Sequence, residues 1–288
     1  MGHIITDLKE TFRRGNIFIQ LIYINVSIFI IGTLINVFLQ LFQHSIPDIF
    51  GIFALPASFI RFFHQPWSII TYMFMHAGLL HILFNMLWLY WFGSLFLHFF
   101  SAKHLRGLYI LGGILGGLLY MVAYNVFPLF NQEVAVSTLV GASASVLAIV
   151  AATAYREPNY RVQLFLFGAI RLKYLALVVI GIDVLSITSS NAGGHIAHLG
   201  GALAGLWFAA SLSKGTDLTS WINWILDGFT SLFQKKTWKR KPKMKVHYGN
   251  SATGREKDYD YNAHKKAQSD EVDRILEKLK KSGYDSLT

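Results

Sequence analysis

The chain has 288 residues, of which 53% are hydrophobic and only 15% charged, with a mean hydropathy of +0.41. That balance excludes a soluble domain of ordinary surface, and its apolar runs of roughly 20 residues are what a hydrocarbon core about 30 Å thick demands. The formal net charge of +10 sits at the two chain ends and in two short loops, so it reads as orientation of membrane spans and not as a nucleic-acid surface; the absence of cysteine excludes disulfides and thiolate metal sites.

Residues 1–16 form a polar N-terminal segment with Lys9, Arg13 and Arg14. The apolar run that follows is too long for a cleavable signal peptide and has no small-residue cleavage site after it. Ile17 to Phe42 is long enough to span a bilayer. Residues 43–78, rich in aromatics, proline and histidine, predict a long loop in the membrane interface, with Trp67 and Tyr72 at home there. Gly78 breaks the next apolar stretch, so a second span is expected from about Leu79 to Phe99. It carries His81 and Asn85 four residues apart on one face.

After Lys103, His104 and Arg106, a third span is predicted from about Leu108 to Phe127, with Gly112-Gly113 and Gly116-Gly117 permitting close helix contact. The fourth, Ala142 to Tyr155, is short: at 1.5 Å per residue it reaches only about 20 Å. Arg156 and Glu157 hold its far end at the polar boundary, which places Ser143 inside the membrane. Non-helical backbone leading to it is tolerated only if buried in protein or lining a wet cavity. A basic segment (Arg156, Arg161, Arg171, Lys173) precedes a fifth span, Tyr174 to Thr188; an uncharged loop follows, then a sixth span, His195 to Ser213.

The Lys/Arg excess lies in the N-terminal segment, around 100–106, in 156–173 and after Lys214, whereas the intervening loops hold only Arg61. The positive-inside rule then predicts six spans, 17–213, with both ends cytoplasmic; the expected setting is a cell membrane of bacterial type. Residues 214–288 form a cytoplasmic basic and amphipathic tail. It has an interfacial helix around Trp221 to Phe233, a basic run from Lys235 to Lys245 and a short amphipathic helix from Glu271 to Lys281.

This arrangement puts Ser143, His81, Asn85 and His198 at the outward ends of their helices. Small residues also serve simply to bring helices together, and Ser145 projects from another face as a packing residue. An intramembrane histidine has a weaker bland reading, since ionisable groups there are expensive and usually functional. His198 is preferred to His195 because Gly201 and Gly205 follow it on the same face and bring its helix close to a neighbour.

A metal at His195/His198 lacks the His-Glu-x-x-His pattern. A lone intramembrane Asp183 cannot form an aspartyl pair, and it reads as a structural group near the end of the fifth span. With no acid assigned to orient His198, the expected machinery is a dyad. In it His198 is the general base for Ser143, and the Ser143 N–H, His81 and Asn85 are oxyanion donors. No cofactor or metal is expected.

At this point the chain resembles the rhomboid intramembrane serine proteases. The matching pieces are Gly141-Ala142-Ser143, His81-Ile82-Leu83-Phe84-Asn85 and Ala197-His198-x-x-Gly201-x-x-x-Gly205, and they cover residues about 17–213. The resemblance implies an all-α, six-transmembrane-helix bundle whose short fourth helix carries the serine. It implies an oxyanion hole using His81 and Asn85, a first loop half-embedded in the bilayer and a mobile cap at 188–194. It also implies that single-span membrane proteins within the lipid bilayer are the substrates. The chain departs from many relatives in having Ala144 after the serine, Leu147 four residues after it in place of an aromatic, and Trp67-Ser68 in the first loop. A catalytically silent rhomboid-like protein that binds membrane clients is the alternative. A transporter would need an inverted repeat or paired broken helices, which the sequence does not display.

Overall fold

The computed structural model describes residues 12, 15–42, 49–164, 168–233 and 251–282. Lys9, Arg13, Arg14 and the basic run Lys235 to Lys245 lie outside the described residues. The chain divides into two units, Met1–Gln234 and Lys235–Thr288.

The first unit is built on six apolar helices: α1 (Ile17–Leu41), α2 (Leu79–Phe96), α3 (Ala102–Val126), α4 (Ser143–Arg156), α5 (Leu172–Leu185) and α6 (Ala192–Ser213). By length and composition α1, α2, α3 and α6 can each cross a membrane, while α4 is a shorter apolar helix. This is a helical membrane bundle. Its outer surface is as apolar as its core: Leu34, Leu80, Phe84, Leu177, Leu203 and Trp207 are all exposed, as side chains facing lipid must be.

α4 lies at the centre, packed by α6, α3, α2 and α5, and from Ala144 to Ala154 it is wholly buried. Lipid tails are as apolar as leucine, so close packing of small residues has to hold such helices together. A methyl group added at Gly116 would come within 2.7 Å of both Ala144 Cβ and the Ala197 carbonyl, and one at Gly200 within 2.7 Å of the Leu115 carbonyl. Methyl groups at Gly201 and Gly205 would run into the backbone of Ala144 and Ala148. Backbone therefore meets backbone along the α4–α6 and α3–α6 seams.

Helix boundaries follow local caps that a hydropathy reading overlooks. The third helix starts at Ala102, six residues before the expected Leu108, because Ser101 accepts from the His104 N–H (3.1 Å) and His104 Nδ1 accepts from the Ser101 N–H in a capping box. Polar Lys103 and Arg106 are thereby helical. The sixth helix begins at Ala192 instead of His195, so the expected cap at 188–194 is split: Asn191 precedes the helix, and Ala192 to Gly194 form its first turn.

The region 43–78, expected as one long loop, contains short helices at Ile49–Phe53, Phe59–His64 and Ser68–Thr71. It is tied to the segment before α4. Strand β1 (Leu55–Pro56) pairs antiparallel with β2 (Thr138–Leu139), and the Arg61 guanidinium donates to the Ala135 carbonyl at 3.1 Å. Tyr72 donates to the Gly113 carbonyl (2.6 Å) and Tyr109 to that of Met73 (3.1 Å), clamping this region to α3. At the opposite end a hairpin, β3 (Arg161–Leu164) with β4 (Gly168–Arg171), joins α4 to α5.

α7 (Ser220–Phe233) sits against the N-terminal turns of α3, where Asn223 and Asp227 bond Arg106 and Asp227 also pairs with Lys103. Its other side exposes Trp221, Trp224, Ile225 and Leu232, the composition of a helix lying in an interface. The second unit contains α8 (Ser251–Ser282), longer than the short helix expected from Glu271. Its apolar residues Val272, Ile275 and Leu276 are exposed.

Candidate active site

One cavity of about 400 Å³ gathers Ser143, His198, His81 and Asn85, residues from three helices. Leu80, Phe84, Trp88, Val140, Val146, Leu147, Val179, Asn191 and Gly194 complete its wall. Four polar groups converging in a mostly apolar pocket have the form of a small reaction chamber.

Ser143 is the first residue of α4, preceded by Ala142 as N-cap without a side-chain cap. The N–H groups of the first helical turn therefore have no carbonyl partner within the helix, and the helix dipole is positive at this end. Gly141 makes the approach possible. Its φ is +129°, a conformation side chains resist, and a methyl group there would sit 2.9 Å from His81 Nε2. A glycine at this position thus brings the His81 ring up to the backbone leading into Ser143. Among the described residues, no hydrogen-bond partner for the Ser143 hydroxyl is present.

The tautomer of His81 follows from its neighbour. The Ala77 N–H donates to His81 Nδ1 at 3.4 Å, and a backbone N–H can only donate. A neutral His81 therefore carries its hydrogen on Nε2, as a donor beside Gly141 and Ser143. One turn on, Asn85 Nδ2 donates to the His81 carbonyl at 2.8 Å, which leaves its second amide hydrogen for the cavity. Behind them, His76 is 4% exposed with its ring centroid 5.2 Å from that of His81. Burial, reinforced by the neighbouring His81, pushes His76 down from 6.5 to about 4.

On α6 the two histidines separate. His198 lines the cavity and His195 does not. Both nevertheless meet the same acid. Asp183 Oδ1 on α5 lies 2.8 Å from His198 Nδ1 and 2.8 Å from His195 Nδ1. The expectation that no acid orients His198 is therefore wrong. The carboxylate comes from the preceding helix, brought round by the turn between α5 and α6. An ionised carboxylate only accepts, so both rings present Nδ1–H to it. These three residues are also a set whose ligand atoms all lie within 4.8 Å of one another, close enough for a metal ion to share. Here those atoms are engaged in hydrogen bonds with each other.

Ser145 is buried, with its hydroxyl unpartnered, and is not part of the cavity wall. Gly201 and Gly205 lie on the α4 backbone one and two turns below His198. Sequence reasoning named the four converging polar residues and missed Asp183 as their neighbour. The available signal was an acid within an apolar segment, followed in the next segment by two histidines one turn apart.

Comparison with known proteins adds a family. The Rhomboid domain profile matches residues 64–215, and a family of unknown function (DUF6576) matches residues 255–288. RHOMBOID-like protein 12, mitochondrial, of Arabidopsis thaliana is 29% identical over 157 residues, which is 51% of this chain and 47% of that protein. Presenilin-associated rhomboid-like protein A, mitochondrial, of Danio rerio is 30% identical over 139 residues, 47% of this chain and 34% of that protein. The matched stretch spans less than half the length of either relative.

Proposed function

The chain belongs to the rhomboid family, and from that premise we propose that it is an intramembrane serine endopeptidase that cuts single-span membrane proteins in or near their transmembrane segment. The observation that carries this reading is the shared cavity of Ser143, His198, His81 and Asn85. In the proposed reaction His198 Nε2 takes the proton of the Ser143 hydroxyl as Oγ bonds to the scissile carbonyl carbon. The proton then passes to the departing amine as the peptide C–N bond breaks. Water, activated by the same imidazole, releases the acyl group and restores the serine.

Negative charge on the tetrahedral oxygen is met by the Ser143 N–H at the start of α4, by His81 Nε2–H and by the free Asn85 amide hydrogen. All six helices α1–α6 belong to the membrane domain in this reading; the short α4 is enclosed by the protein's own packing, whereas α5 exposes Leu177, Ile182 and Leu185. The end bearing Lys103, Arg106 and α7 faces the cytoplasm, and the cavity opens toward the other side of a cell membrane. Both relatives carry the word mitochondrial in their names; the charge pattern of this chain supports the orientation and not the choice of membrane.

Reconstituted wild-type protein should cut a single-span test protein close to the outward boundary, with the fragment masses locating the bond. Ser143→Ala and His198→Ala should each lose about 10³-fold or more of that rate. A folded wild type that binds such proteins and leaves them intact would establish the client-binding alternative instead.

A further inference from the structure

We propose that Asp183 is a positioning residue for the hydrolytic site, holding His198 by Nδ1 in the tautomer whose Nε2 is free for the serine proton. The inference rests on the Ser143–His198 reading above and extends the expected dyad by a third member on α5. Its base is geometric. The carboxylate oxygen and His198 Nδ1 are 2.8 Å apart, the Asp183 side chain is 5% exposed, and the His198 side chain is 23% exposed at the cavity. Among the described residues, Asp183 Oδ1 is the hydrogen-bond partner of the His198 ring. That bond fixes the orientation of the ring.

An acid buried in an apolar helix is retained at a cost unless it serves the site or its packing. Here its second partner explains how it stays in place. His195, outside the cavity, donates Nδ1–H to the same Oδ1 at 2.8 Å. It shares that oxygen with His198, while Asp183 Oδ2 is buried without a hydrogen-bond partner. During the reaction the proton from Oγ goes to His198 Nε2 while Nδ1–H stays where it is. The imidazolium that forms is balanced by the Asp183 carboxylate, which takes up no proton.

Asparagine at 183 would disturb this in a specific way. An amide that keeps its oxygen at the shared position carries no charge to balance the imidazolium and leaves a buried NH₂ where Oδ2 had no partner, whereas the flipped amide turns its NH₂ toward the rings. In that flipped pose a ring facing the NH₂ must accept on Nδ1 and carry its hydrogen on Nε2, where it cannot receive the serine proton. Glutamate would keep the acceptor character with a longer reach.

The full-length chain in bicelles, with a single-span test protein as substrate, provides the test. Asp183→Asn should lower kcat by about 10²–10⁴-fold with KM within about twofold, and Asp183→Glu should recover about tenfold of that loss. Nitrogen-15 spectra of histidine-labelled protein, assigned with His195→Ala and His198→Ala, should show His198 as Nδ1–H in the wild type and as Nε2–H or mixed in Asp183→Asn. A wild type with His198 in the Nε2–H form, or an Asp183→Asn enzyme with kcat unchanged, would overturn the proposal. Should the wild type prove inactive, the protease reading falls, and the wild-type tautomer still decides whether Asp183 holds the ring. Where Asp183→Asn fails to fold, the kcat of Asp183→Glu and the wild-type spectrum decide the question.

Discussion

At the scale of single residues, the site depends on which hydrogens are fixed in place before any substrate arrives. His81 Nε2–H is fixed by the Ala77 N–H on the far side of its ring, and Asn85 by its bond to the His81 carbonyl. His81→Ala and Asn85→Ala should therefore each reduce kcat by about 10²–10³-fold while leaving the Ser143 region folded. Equal effects on KM alone would show that these groups bind substrate and do not stabilise the oxyanion. His76, packed behind His81, makes a different prediction.

Because burial lowers its folded value from 6.5 to about 4, the fold favours the neutral ring. Its contribution to stability is present in full above 6.5 and is lost as pH falls through about 4, on the order of 3 kcal/mol in all. Thermal midpoints should fall between pH 7 and pH 5 in the wild type and fall less in His76→Phe. An identical drop in both would place the acid sensitivity elsewhere. His81, Asn85, Ser143 and His198 were legible in the sequence because each lies at a set spacing within one segment. The role of Asp183 was not, since its meaning comes from a neighbour on another helix, and no spacing rule crosses a turn.

At the scale of elements, the seam between α4 and α6 fixes the distance between the serine and histidine helices. A methyl group on Gly201 would lie 3.0 Å from Ala144 Cα and 2.8 Å from its carbonyl carbon, and backbone cannot swing away as a side chain end can. Gly201→Leu should destabilise the bundle by about 1–3 kcal/mol or more and separate His198 from Ser143, abolishing turnover. Gly181→Ala on α5, where a methyl group meets nothing within 4 Å, should be tolerated. Melting curves of the two variants in detergent check this, and comparable losses would contradict the close seam.

Apolar runs made the helices readable, and Gly78 marked the start of α2 as expected. The start of α3 was not readable from hydropathy, because a capping box carries the helix back into charged sequence. The β1–β2 pair escaped as well: strands of two residues each have no alternation to detect.

At the scale of the whole molecule, the fold surrounds a short helix with longer ones, so that the first turn of α4 starts within the bundle and not at its surface. Hydropathy and charge made the membrane class and the bundle legible. They did not reveal how the regions 49–78 and 128–141 interlock, since that depends on contacts such as Arg61 with the Ala135 carbonyl and the Ala57 N–H with the Ser137 carbonyl. A helix terminus opening on a mostly apolar cavity is useful only if the serine standing on it is activated.

Labelling of the purified protein in detergent by a fluorophosphonate tests that activation most directly. The wild type should react, Ser143→Ala and His198→Ala should not, and Ser145→Ala should keep the label. A folded wild type that takes no label, or label that persists in Ser143→Ala, would contradict an activated Ser143.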